Sequence, residues 1–162
     1  MPRPSPQSFT VAICAYNATA RIWRALDALR DLRYAGPWDV LVVDNASTDA
    51  TGEFAAGWSD RLPGLRVVRE GTPGVAHARM RALREARGDC LCFVDDDNLL
   101  APDYLRVADE LLRALPEVGV LAGRSRLYEL SPRPPWFDEV SSCYAVGEQG
   151  RADGFLPPGA FP

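Results

Sequence analysis

Short apolar runs alternate with amphipathic stretches from residue 9 to residue 122. Phe9 to Ala15 is the first run. It is bounded by Pro-rich sequence on one side and polar residues on the other, which predicts a strand. From Thr19 to Arg33 the apolar positions recur at helical spacing, and Ile22, Leu26, Leu29 and Leu32 form one stripe opposite the charges. Gly36-Pro37 predicts a turn. Trp38 to Val43 is near-continuously apolar, the pattern of a central parallel strand. Ser47 or Thr48 is suited to cap a helix running to about Arg61, with Phe54, Ala55, Trp58 and Leu62 inward and Pro63-Gly64 ending it. Leu65 to Arg69 reads as a third strand. Thr72-Pro73 predicts a helix start, with Val75, Ala78, Leu83 and Ala86 directed at the sheet and Gly88 as C-cap. Asp89 to Val94 is a fourth strand. Pro102 opens another helix with Leu105, Ala108, Leu111, Leu112 and Leu115 inside, and Val118 to Ala122 is a fifth strand.

Strands alternating with helices imply an α/β fold whose mostly parallel sheet is covered on both faces. Right-handed crossovers then bring the strand ends to a common rim. Residues 1–8 read as a disordered lead-in and 9–124 as the core domain, with no internal repeat. After Arg124 the pattern dissolves into a Pro/Gly-rich segment, 125–162. Its aromatics, Trp136, Phe137 and Tyr144, are expected to pack on the core or to wall an acceptor site. No closing helix follows, so the domain is expected to be incomplete at Pro162.

Composition narrows the class. The chain has 162 residues, 47% hydrophobic and 25% charged, the profile of a soluble globular protein. A net charge of -4 argues against a nucleic-acid or anionic-membrane surface. No apolar run approaches the roughly 20 residues of a membrane span, and the first residues lack a signal core, so a cytoplasmic setting is expected. Cys14, Cys90, Cys92 and Cys143 lack zinc-type spacing and read as buried free thiols. The single histidine, His77, reads as a helix-surface residue.

The chemistry concentrates where the apolar strand Cys90-Leu91-Cys92-Phe93-Val94 runs into Asp95-Asp96-Asp97-Asn98. On a continuing extended backbone Asp95 and Asp97 share one face. Adjacent carboxylates repel, and a divalent cation carrying a phosphorylated substrate would offset the cost. A calcium loop of the EF-hand type is disfavoured, because Leu100 stands where the sixth-position Gly is required. Asp44 and Asp49 are expected on or near the same rim.

Four segments, taken in order, resemble family 2 glycosyltransferases, inverting enzymes of GT-A fold that use nucleotide-diphosphate sugars. They are Val11-Ala12-Ile13-Cys14-Ala15-Tyr16-Asn17, Val42-Val43-Asp44-Asn45-Ala46-Ser47-Thr48-Asp49, Gly74-Val75-Ala76-His77-Ala78-Arg79-Met80, and Ala86-Arg87-Gly88-Asp89 leading to Phe93-Val94-Asp95-Asp96-Asp97-Asn98. The resemblance covers about Phe9 to Gly123 and implies a three-layer sandwich around a mostly parallel sheet. It makes Asp97, with Asp95, the ligands of Mn²⁺ or Mg²⁺. It makes Ala12, Cys14, Ala15, Tyr16, Asn17, Asp44, Asn45, Arg79, Asp95 and Asp96 the donor site. Asp44 would accept a hydrogen bond from the base, and Arg79 would offset diphosphate charge. Tyr16 stacks on the base or packs as a core residue, Asn17 contacts ligand or caps the first helix, and Asp96 is a supporting residue.

The implied reaction moves a sugar, from a UDP-sugar by preference, to a hydroxyl of a glycan, glycolipid or other acceptor, with inversion. The implied setting is bacterial polysaccharide or glycolipid synthesis at the inner face of the membrane, with peripheral attachment through missing C-terminal sequence. Met80 departs from the family's Asn. The family's acidic catalytic base has no match, so it is expected beyond Pro162. Asp138, Glu139, Glu148 and Asp153 qualify by charge alone. The alternative is a degenerate or truncated donor-binding domain without catalysis. A nucleotidyltransferase would want a Gly/Arg/Lys-rich loop where Tyr16-Asn17-Ala18-Thr19-Ala20 stands, and an aspartyl phosphatase would want Asp where Cys14-Ala15-Tyr16 stands.

Overall fold

The computed structural model describes residues 6–128, 134–140 and 154. The chain divides into two compact units, Met1–Glu117 and Val118–Pro162. The first contains β1 (Phe9–Ala15), α1 (Ile22–Arg30), β2 (Trp38–Asn45), α2 (Thr51–Ala56), β3 (Arg66–Glu70), α3 (Val75–Glu85), β4 (Cys90–Asp95) and α4 (Tyr104–Ala114). The four strands form one sheet in the order β3-β2-β1-β4, and every pairing is parallel. The α/β layering expected from the alternation is therefore present.

Strand order decides where a ligand can sit. β1, β2 and β3 step outward in one direction, and β4 returns to the other side of β1. Right-handed crossovers then place α1 and α2 on one face of the sheet and α3 on the other. A reversal of strand order, as between β1 and β4, is the place where open α/β sheets take their ligands, outside the carboxyl ends of the strands.

Side-chain alternation fills the two layers. Ala12, Leu41 and Val43 pack with Ala78 and Ala82 of α3. The intervening residues Val11, Ile13, Val40 and Val42 are fully buried on the opposite face, as are Ile22, Leu26 and Leu29 of α1. Alanines at the α3 contact let that helix lie close to the strands. α4 joins the α1 side: Arg33 N donates to Pro102 O at 2.6 Å, and Leu105 and Ala108 are buried.

Several boundaries differ from the sequence reading, each for a local reason. α1 starts at Ile22 rather than Thr19, because Thr19 N bonds to Asp49 and Ala18 N bonds to Thr51. α2 begins at Thr51 with Ala50 at its N-cap, because Ser47 and Thr48 are bonded to Asn17 instead. Val75 and Leu83 are 62% and 56% exposed, so α3 faces the sheet through Ala78 and Ala82. The helix ends at Glu85, and its C-cap is Ala86, not Gly88. Gly88 lies against the backbone of Phe9 and Thr10, where a Cβ would come within 2.6 Å of both. Leu111 is exposed rather than internal. Gln7 and Ser8, assigned to the lead-in, are tied down: Gln7 N donates to the buried Asp109, and Ser8 Oγ donates to Asp89.

In the second unit, residues 118–122 are not a strand, and Val120 is 77% exposed. This unit contains the short helix α5 (Phe137–Val140), with the rings of Trp136 and Phe137 6.5 Å apart. Cys143, Tyr144, Glu148 and Asp153 lie outside the described residues.

Candidate functional site

The sheet register sets Cys14 beside Asp95 on one flank of β1 and Ala15 beside Asp44 on the other. At the usual spacing of paired strands, Asp44 and Asp95 stand about 10 Å apart across the end of β1. Alternation sends them to different layers. Asp44 follows Val40 and Val42 toward α2, where its carboxylate lies 3.1 Å from the Cβ position of Gly52. Asp95 follows Leu91 and Phe93 toward α3.

Asp44 is nearly buried, and both its oxygens are engaged. Oδ1 accepts from Ser47 N at 3.2 Å and Oδ2 from Arg69 Nη1 at 3.0 Å, while Arg69 Nη2 donates to Ser47 O at 3.2 Å. The Arg69 side chain remains 63% exposed, so it reaches from the carboxylate into solvent. Neighbouring Asn45 is a staple between β2 and the loop before α3. Its Nδ2 donates to Thr72 O at 2.7 Å, and its Oδ1 accepts from Gly74 N at 2.8 Å. Gly74 has φ +126°, a left-handed value that favours glycine and lets this loop turn into the helix.

Between these residues and β4 runs the loop that ends β1. Tyr16 is 54% exposed at the rim. Asn17 adopts φ 46°, and its Oδ1 accepts from Thr48 N at 2.8 Å. Asn17 thus holds the loop after β2 instead of capping α1. Asp49 completes this polar junction: it accepts from the backbone N and hydroxyl of Thr51 and from Thr19 N. The Thr51 hydroxyl, followed by Thr19, holds the Asp49 carboxyl down at about 2.

The acidic turn does not continue as strand. β4 stops at Asp95, and Asn98 N donates back to Asp95 O at 3.0 Å. Asp95 and Asp97 therefore do not share a strand face, and both are exposed. Asp95 has a long contact to Arg79 at 3.8 Å, with both side chains more than half exposed. The Arg79 guanidinium also lies 5.7 Å from the Phe93 ring centre. Asp96 points the other way, toward α1, where Arg21 grips it through Nε at 2.7 Å and Nη2 at 2.8 Å. This bond lifts Arg21 above its ordinary value. Cys14 sits beneath the pair Arg79–Asp95. Burial pushes its thiol up to about 11, with Arg79 pulling down and Asp95 pushing up.

The structure thus brings Tyr16, Asn17, Asp44, Asn45, Arg79, Asp95 and Asp97 to one rim, with Ala15 and Cys14 just inside it. Ala12 is not brought there, being fully buried under α3. His77 is exposed on α3. Among the described residues, no three His, Cys, Asp or Glu side chains are grouped to hold a metal. Arg21 and Arg69 were not picked out from sequence. Their partners lie 75 and 25 residues away, and no local pattern links them.

A model of the glycosyl transferase family 2 matches residues 10–144. The chain belongs to this family. Its relatives include the amylovoran biosynthesis glycosyltransferase AmsB of Erwinia amylovora, 37% identical over 111 residues, covering 67% of this chain and 36% of AmsB. S. aureus TarS 1–349 in complex with UDP superposes with a TM-score of 0.69 at 26% identity, over 78% of this chain and 38% of the 1–349 chain. The mannosyltransferase PcManGT of Pyrobaculum calidifontis, in complex with GDP-Man and Mn²⁺, gives 0.65 at 32% identity, over 78% and 38%. The α/β sheet is accordingly of GT-A type. The chain spans between 12% and 36% of the length of curated relatives it matches. Among the described residues no helix is long and apolar enough to cross a membrane.

Proposed function

We propose that this chain binds the nucleotide-diphosphate sugar for an inverting family 2 glycosyltransferase. The observation that carries the reading is the rim itself. Asp44 and Arg69 stand on one flank of β1, Asp95, Asp97 and Arg79 on the other, with Tyr16 between. A nucleoside diphosphate has the same polarity, a hydrogen-bonding base at one end and anionic phosphates at the other. The UDP and GDP-Man held by the structural neighbours support this assignment.

Asp44 accepts an N–H of the base, and its carboxylate retains capacity for that bond beyond those from Ser47 and Arg69. Arg69 donates to a base carbonyl oxygen. The exposed ring of Tyr16 forms the wall of the base pocket. Arg79 moves from its long contact with Asp95 to the diphosphate, where its fork matches the phosphate oxygens.

The donor set fits a hard divalent cation. Asp95 and Asp97 supply carboxylate oxygens on an exposed turn, and one or two carboxylates plus substrate phosphates is the usual pattern for Mg²⁺ at a nucleotide. These two residues would hold Mn²⁺ or Mg²⁺, which when bound supplies Lewis-acid stabilisation of the departing diphosphate. An acceptor hydroxyl then attacks the anomeric carbon opposite the diphosphate, its proton taken by a carboxylate that does not belong to this rim. UDP is the favoured nucleotide. A glycan or glycolipid acceptor in bacterial polysaccharide assembly is favoured by the relation to AmsB, with the reaction in the cytoplasm at the membrane's inner face.

Calorimetric titration with UDP, GDP and dTDP, with and without Mn²⁺, tests the reading. Expected is Mn²⁺-dependent binding of one nucleotide, lost in Asp97→Ala. A folded chain that binds none of the three overturns the donor-site assignment.

A further inference from the structure

Arg21 occupies the N-cap position of α1. That place favours Ser, Thr, Asp or Asn, and the positive end of the helix dipole disfavours a cation there. α1 has no acidic residue in its first turn and no side-chain cap bond to compensate. Local helix physics therefore does not explain this residue, whereas its long-range contacts do.

The guanidinium makes four hydrogen bonds. Nε and Nη2 grip the two oxygens of Asp96 at 2.7 and 2.8 Å. Nη1 donates to Asn17 O at 2.9 Å, and Nη2 donates to Tyr16 O at 3.0 Å. One side chain thus joins the loop that ends β1 to the turn that ends β4, across the seam where the strand order reverses. The fork geometry matters, because a lysine ammonium cannot hold both carboxylate oxygens in a plane and reach two carbonyls. The Asp96 side chain is 11% exposed, so its charge is withdrawn from solvent and matched by one cation.

We propose that Arg21 is a positioning residue for the donor site, clamping Asp96 so that the acidic turn presents only Asp95 and Asp97. The proposal rests on the donor-site reading above. The clamp has two effects. It fixes the Tyr16–Asn17 loop against the acidic turn, so base wall and phosphate end keep their spacing. It also removes one negative charge from a cluster of three, so that the turn holds a cation firmly only when diphosphate supplies the remaining oxygens.

The two effects separate in titrations of the 162-residue chain and of Arg21→Lys, Arg21→Gln, Asp96→Asn and Arg21→Gln/Asp96→Asn. Each is titrated with Mn²⁺ alone, then with UDP, GDP and dTDP in Mn²⁺, and its thermal midpoint is recorded. Arg21→Gln is expected to weaken nucleotide binding by about tenfold or more, the order of loss seen when an outer group that orients a metal site is removed. The same change is expected to tighten Mn²⁺ alone several-fold, because Asp96 loses its counter-charge. Arg21→Lys should weaken nucleotide without tightening Mn²⁺. The double variant should return Mn²⁺ alone to the parent value.

A merely structural role predicts something different: all affinities falling together with the thermal midpoint. That pattern overturns the proposal, as does nucleotide binding by Arg21→Gln within twofold of the parent. If the parent chain binds none of UDP, GDP and dTDP, the donor-site reading fails. The clamp is then judged on Mn²⁺ alone: tightening in Arg21→Gln and its reversal in the double variant uphold it, and no change overturns it.

Discussion

Replacing Gly88 by Ala tests how β4 is anchored to the sheet. The Cβ would lie 2.6 Å from Phe9 C and from Thr10 N, and 2.9 Å from Phe9 Cα. Ordinary contact begins near 3.4 Å, so backbone must yield by about 0.8 Å at two atoms. Those atoms are not free to move. Phe9 pairs with Cys90 in the β1–β4 ladder and with Trp38 in the β1–β2 ladder, and Gly88 N donates to Thr10 Oγ1 at 2.9 Å. Overpacking of a close-packed contact costs about 1–3 kcal/mol. Because the obstacle is backbone paired on both sides, the upper part of that range is expected. Gly71→Ala is the matched control, since nothing lies within 4 Å of its Cβ position. That change should be neutral or stabilising by up to about 1 kcal/mol through the unfolded chain. Urea unfolding of both variants gives the difference directly. If Gly88→Ala is no less stable than Gly71→Ala, the close approach is not what requires glycine at position 88, and the reasoning fails.

Three further outcomes are expected. Leu41→Ala, fully buried against α3, should cost about 2–5 kcal/mol, whereas Leu83→Ala, 56% exposed, should stay within about 0.5 kcal/mol; equal effects in urea unfolding would invert the reading of α3. Asn45→Asp removes the donor to Thr72 O and sets two acceptors against each other, which should lower stability by about 1–3 kcal/mol; a neutral result would mean that the staple is dispensable. Alkali should destabilise the fold, because burial raises Cys14 from 9.0 to about 11, Cys92 from 9.0 to about 12 and Tyr34 from 10.0 to about 12. These groups are neutral in the fold, so their contribution is intact below the unfolded values and is lost as pH rises through the folded ones. Urea midpoints that stay level from pH 8 to pH 11 would contradict it.

The four strands of the sheet were legible, unlike the expected fifth at 118–122, because a parallel central strand is buried on both faces and reads as a nearly unbroken apolar run, as Val40 to Val43 does. α3 was harder. Its contact face is two alanines, and the larger Val75 and Leu83 drew the expected face to the wrong side. The cap of α2 was misplaced because Ser47 and Thr48 are typical capping residues, but here they are drawn into bonds with Asn17, 30 and 31 residues away. The acidic turn announced itself in three consecutive aspartates, yet their division of labour did not. Which carboxylate is clamped depends on where Arg21 stands in three dimensions, and that follows from the sheet order, not from spacing along the chain.

The seam between β1 and β4 also sets the order of assembly. β1 is made first but becomes the central strand. Its pairing with β2 closes about 29 residues, as between Thr10 and Asp39, whereas its pairing with β4 closes about 81, as between Ser8 and Asp89. The added loop entropy is small, roughly 0.9 kcal/mol, so the longer closure is easily sustained once formed. Its effect falls on timing, since the distant pairing cannot begin until the chain has grown past Asp95. The rim that joins Tyr16 to the acidic turn therefore comes into being only when β4 pairs with β1, and ligand capture by a growing chain would mark the moment at which that pairing forms.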